Sequence, residues 1–215
     1  MKVKIIYSPF LEEIYSTFFS EKELVSKTKL FTYSTLPHFS KDEVLMKQEE
    51  FRNEWKKNGE IMIDKILEIS ELKIERRNLD VYITGVPARS FSSPIVIYAG
   101  KDTADFIRVL IHEIVHIVLN EGLGDSKKFL EEVLAHLFPS ETKLTQIHII
   151  VYAIMGVVFE EVLGNVDMMS SEIRDAANFK TSEYKNALDI CINSGYKNIL
   201  DKIKMEYKKH MLSIS

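Results

Sequence analysis

The sequence predicts an α+β protein, mostly helical with a small β-sheet, and three observations carry that expectation. The segments Asp80–Thr84 and Pro94–Tyr98 are rich in β-branched and aromatic residues and are set apart by Gly, Pro and Ser. After Gly100 the apolar residues recur at helical spacing, punctuated by Gly122, Pro139, Gly164 and Gly195. Upstream of the strand segments, two capping signatures open helices.

The elements follow in order. Ser8 as N-cap, with Pro9 at the first helical position where its missing N–H is harmless, starts a short helix to about Phe19. Lys29–Tyr33 reads equally as strand or loop. Ser40 and Glu43 form a capping box that opens a charged amphipathic stretch; Asn58-Gly59 is expected to break it before it resumes through about Ile69, giving a helical pair. Two neighbouring strands come next. Helices are then expected over Thr103–Asn120, Lys127–Phe138 and Glu141–Leu163, with two or three more to the C-terminus. A mainly helical part, 1–78, would thus precede a core of strands and helices, 79–215, unless 1–215 forms one compact domain.

Bulk properties narrow the function. A chain of 215 residues with 46% hydrophobic composition builds one large domain or two small lobes with ample core. Its single cysteine, Cys191, cannot close an internal disulfide, and Ser8, Pro9, Glu12 and Glu13 interrupt the first apolar stretch before any export signal forms; both fit the cytoplasm. A net charge of −4, with lysines and glutamates interspersed, excludes nucleic acid as the expected partner. The longest apolar run, Ile149–Phe159, is shorter than the roughly 20 residues of a membrane span. It reads as a buried helix, and no stable membrane insertion is expected.

The chemistry concentrates in Phe106–Leu119, a segment apolar almost all round. His112 and His116 lie four apart, so both rings share one helix face and can reach a single ion about 2 Å from each nitrogen. Glu113 is offset from that face, where it can hold a water beside the ion; this is the division of labour of the HExxH pattern. Two imidazoles and a carboxylate in an apolar helix would cost several kcal/mol if unsatisfied, roughly, and a dication with its water satisfies all three. A catalytic zinc takes three protein ligands, so a third must come from elsewhere, and no HxxGxxH continuation follows.

The next helix reads Phe129-Leu-Glu-Glu-Val-Leu-Ala135. Here, over roughly Leu79–His136, the chain resembles the gluzincins, zinc metallopeptidases whose third ligand is a Glu on a helix after HExxH, in an ExxA pattern preceded by an aromatic-Leu pair. The resemblance implies a zincin-like core with the active-site helix packed behind the sheet, Zn2+ as cofactor, and Glu132 as third ligand with Ala135 one turn on. Glu131, Glu160 and Glu161 are the acidic alternatives. The gap from His116 to Glu132 is a little short for the family, and His136 stands where an acidic residue is often found.

The same resemblance implies hydrolysis of a peptide or protein substrate, with Glu113 as general base and then proton donor to the leaving amine. It also implies a Tyr or His that hydrogen-bonds the oxyanion; His148 and Tyr152, four apart on the long helix, and Tyr184 are the candidates. An extended substrate would pair with a strand edge, Asp80–Thr84 or Pro94–Tyr98, near a polar loop centred on Arg89. The alternative is a non-catalytic zinc-binding sensor or interaction module on the same fold.

Overall fold

The structure, a computed structural model, describes residues 1–20, 36–87, 91–164, 168–169 and 182–214. It is mostly helical with one small sheet, as the sequence predicts. The expected Lys29–Tyr33 segment and Arg89 lie outside the described residues. The strands are β1 (Lys2–Tyr7), β2 (Asn78–Thr84), β3 (Phe91–Ser92) and β4 (Ile95–Tyr98). The helices are α1 (Pro9–Ser20), α2 (Lys41–Ser70), α3 (Thr103–Leu123), α4 (Lys127–Leu137), α5 (Lys143–Leu163), α6 (Glu183–Ser194) and α7 (Tyr196–Ile214).

The chain forms two compact units, Met1–Glu60 with Arg76–Glu113, and Ile61–Glu75 with Ile114–Ser215. Of the three divisions, 60/61 and 113/114 fall inside the continuous helices α2 and α3, and 75/76 falls in the segment between α2 and β2, close to the boundary expected at 78/79.

The first unit is built on the sheet, ordered β1-β2-β4-β3. β1, β2 and β4 are parallel, whereas the two-residue β3 runs antiparallel on the outer side of β4, opposite Ile95 and Val96. β2 is therefore paired on both sides, by β1 and β4, so Asp80–Thr84 offers no edge to a substrate. All four residues of β4 are buried, as in a sheet covered on both faces.

β1 is not among the strands expected from the sequence. Its signal was the alternation of Lys2 and Lys4 with Val3 and Ile5. As an edge strand it presents unpaired backbone groups, and α2 blunts them: Gln48 Nε2 and Arg52 Nε each donate to the Ile5 carbonyl at 2.8 Å.

Both capping signatures operate as predicted. Ser8 Oγ accepts from the Leu11 N–H at 3.3 Å. Ser40 Oγ accepts from the Glu43 N–H at 3.4 Å while the Glu43 carboxylate accepts from the Ser40 N–H at 2.7 Å. The Ser40 hydroxyl, which donates to the Glu43 carboxylate at 2.7 Å, and then the Ser40 N–H hold the Glu43 carboxyl below its ordinary range. Glu12, on α1, clasps the end of β2, accepting from Thr84 Oγ1 at 2.8 Å and from the Gly85 N–H at 2.9 Å.

The expected break at Asn58-Gly59 does not occur. α2 is one helix of 30 residues, and the helical pair is corrected to a single long element. The physical reason is Trp55: a Cβ on Gly59 would lie 2.2 Å from the indole, so this glycine is the space into which the buried ring packs rather than a stop signal. The packing of Trp55 outweighs the ~1 kcal/mol that a mid-helix glycine costs.

The second unit wraps helices around α5. Thr142 caps α5, its hydroxyl accepting from the Thr145 N–H at 3.2 Å, and Gly164 ends it in the left-handed conformation at φ 60°. By length and composition this helix could cross a membrane, but 72% of its apolar window is buried inside the protein. α4, α6 and α7 pack against it. Gly156 lets α7 in closely, since a Cβ there would meet the Tyr196 ring at 2.2 Å.

Candidate metal centre

α3 is a core helix with a half-open face. Leu110, Ile111, Ile114, Val115 and Val118 are fully buried, whereas His112, Glu113 and His116 are only partly so. The i, i+4 spacing sets the two imidazoles one above the other on a single helix, so their mutual placement follows from helix geometry alone.

A third donor comes from α5. The ligating atoms of His112, His116 and His148 all lie within 4.8 Å of one another. The rings of His116 and His148 meet edge-on with centroids 5.2 Å apart. Three nitrogens around one ion at 2.0–2.1 Å stand about 3.3 Å from one another in tetrahedral geometry, so small side-chain rotations close the cluster on a metal. Three histidines close together can thus hold a metal ion.

The protonation states fit. His148 is buried, and its Nδ1 lies 2.8 Å from the Leu144 carbonyl oxygen, one turn back along α5. A carbonyl only accepts, so Nδ1 carries the proton and Nε2 keeps the lone pair that a metal needs. Burial, then the neighbouring His148, then Lys127 push the pKa of His116 down to about 4. His116 is therefore neutral, the form that coordinates, throughout the physiological range.

That shift has a consequence for metal-free protein. Unfolded, His116 takes up a proton near its ordinary 6.5; folded, it resists until about 4. Its neutral burial is harmless above 6.5, and stability falls as pH drops from 6.5 through 4. The loss levels off below that, at about 3 kcal/mol for a shift of this size. Urea unfolding of chelator-treated protein at pH 7 and pH 4.5 should show this slope, and His116→Gln should flatten it. An unchanged slope in the variant would mean that His116 titrates normally.

The other residues singled out in the sequence fall around or away from the cluster. Tyr152 is fully buried on α5, its ring centroid 5.8 Å from that of His148. Tyr184, in the first turn of α6, lies closer, 4.3 Å centroid to centroid and edge-on. Both line the His148 side of the site.

Glu132 is not among the clustered donors. It is exposed on α4, where its carboxylate meets His210 Nε2 of α7 at 3.0 Å. The other acidic candidates are likewise placed elsewhere: Glu131 pairs with Lys143 at 2.8 Å, Glu161 with Lys65 at 3.0 Å, and Glu160 is exposed. His136 is exposed on α4. The third clustered histidine beside the HExxH pair is His148, which the gluzincin resemblance implies as a candidate oxyanion group.

What the sequence offered towards His148 was a polar residue in an otherwise apolar helix, which demands a partner. Which helix would supply that partner is a tertiary fact. Cys191 supplies no rival nucleophile: its buried thiol donates to the Ile149 carbonyl at 3.2 Å, and burial pushes its pKa up to about 12.

No family model, no curated protein and no solved structure matches the chain.

Proposed function

We propose that the chain is a zinc-dependent metallopeptidase with a zincin-like core, in which His112, His116 and His148 hold the ion and Glu113 is the catalytic base. The observation that carries this reading is the convergence of three imidazole donors, with a carboxylate next to one of them in the helix. An all-imidazole set suits zinc better than magnesium or calcium, which prefer oxygen. The parallel sheet followed by the HExxH helix supports the zincin-like arrangement.

A bound dication would supply Lewis acidity to a substrate carbonyl and to water. The chain's own residues do the rest. Glu113, partly open to solvent, accepts the proton of the attacking water and returns it to the departing amine. His148, its tautomer fixed by the Leu144 carbonyl, is a ligand rather than a proton carrier. That leaves Tyr184 and Tyr152 as the groups able to hydrogen-bond the developing oxyanion, and Tyr184, half-buried rather than sealed in, is the better placed.

A purely structural or sensing site needs no base, so Glu113 speaks for catalysis over a non-catalytic zinc module. The test pairs elemental analysis with a broad peptide library. One equivalent of zinc, and hydrolysis abolished by a chelator and restored by zinc, are expected. Protein that purifies gently without metal and takes up none refutes the proposal.

A further inference from the structure

His112, His116 and Asn120 lie at successive four-residue steps along α3, so each stands about 6 Å beyond the last along one side of the helix. The chain then turns through Gly124–Ser126 and starts α4 at Lys127. Across that corner Lys127 Nζ donates to Asn120 Oδ1 at 2.7 Å. A surface lysine is normally a freely moving charge. This one is tied to the position one turn past His116.

Two further features set Lys127 apart from its neighbours. Lys128 is opposite Glu132 and Lys143 holds Glu131, but among the described residues no carboxylate pairs with Lys127. It stands at the N-terminal end of α4, where the helix dipole adds positive potential.

An extended peptide advances about 3.3–3.6 Å per residue. The one-turn rise of about 6 Å from His116 to Asn120 is thus the length of one to two extended residues, which is the offset expected for a carboxylate just beyond a scissile carbonyl at the histidines.

We infer that Lys127, held by Asn120, is a specificity-determining anchor for a substrate carboxylate, so that the site prefers peptides cut one or two residues before a free carboxylate. This rests on the metallopeptidase reading. The ammonium can bond a carboxylate through its two remaining N–H donors while keeping Asn120. The carboxylate can come from the end of the chain or from an Asp or Glu side chain, and the experiment separates the two.

The test measures binding, by calorimetry on zinc-loaded protein, of three metal-seeking thiols: mercaptoacetyl-leucine, its carboxamide, and mercaptoacetyl-glutamate carboxamide. The free acid should bind about 10-fold more tightly than the leucine amide, the size of one charge-assisted hydrogen bond near the surface. Raising the salt concentration should shrink the gap. Lys127→Gln should erase the preference and leave the amide unaffected, whereas Lys127→Arg should preserve most of it.

If the glutamate amide matches the free acid, the anchor takes acidic side chains; if it matches the leucine amide, the anchor takes chain ends. Equal binding of all three compounds overturns the anchor alone. Failure of every thiol to bind overturns the metallopeptidase reading with it.

Discussion

Glu113→Gln should retain stoichiometric zinc and lose turnover by about 10²- to 10⁴-fold, the range that a positioned general base contributes. At 1.36 kcal/mol per factor of ten this is roughly 3–5 kcal/mol of transition-state stabilisation. The amide is nearly isosteric with the carboxylate but cannot accept a proton, so the variant changes chemistry and little else. Metal content should hold because Glu113 is not among the three clustered donors. The fall should appear in kcat with KM little altered, because the base acts on the attacking water and its contribution is realised in the transition state. Parallel elemental analysis and peptide hydrolysis decide the matter. A Gln variant with zinc and with kcat within tenfold of the parent removes Glu113 from the mechanism.

The sequence made the local features legible because each depends on neighbours within a turn. Ser8 and Ser40 bind the first-turn amides of their own helices, and the His112–His116 spacing is a property of one helix. What lay beyond it was long-range. Gly59 looks like a break until Trp55 is seen to need the space, and the pairing of β1 with β2 joins residues more than seventy positions apart.

The third donor is the clearest case. Glu132 matches a family pattern, and that pattern presumes a return of α4 onto the HExxH face. In the structure His210 of α7 meets Glu132, while α5 brings His148 to His112 and His116 instead. A pattern of residue types in a neighbouring helix cannot tell which of two helices packs against the site, because amphipathic α4 and the largely buried α5 both have apolar surface to do so.

The variant pair that separates the two assignments is His148→Ala against Glu132→Ala. Removing His148 should weaken zinc binding by more than about 100-fold, since even outer-shell partners of a metal ligand are worth 10–100-fold. Binding to the folded state alone stabilises by RT ln(1 + [L]/Kd), about 2.7 kcal/mol at a hundredfold excess over Kd, so the zinc-induced rise in Tm should vanish in this variant. Alanine also leaves a cavity beside Tyr152 and Tyr184 and lowers the Tm of the metal-free protein. The informative quantity is therefore the difference between zinc-loaded and chelated protein, measured within each variant. Glu132→Ala loses exposed contacts with His210 and Lys128, and pairs of that kind are worth about 0–1 kcal/mol each, so its zinc-dependent shift should equal the parent's. The opposite outcome, with zinc stabilisation lost in Glu132→Ala and kept in His148→Ala, would return the third ligand to α4 and require α4 to rotate its carboxylate away from His210 when metal binds.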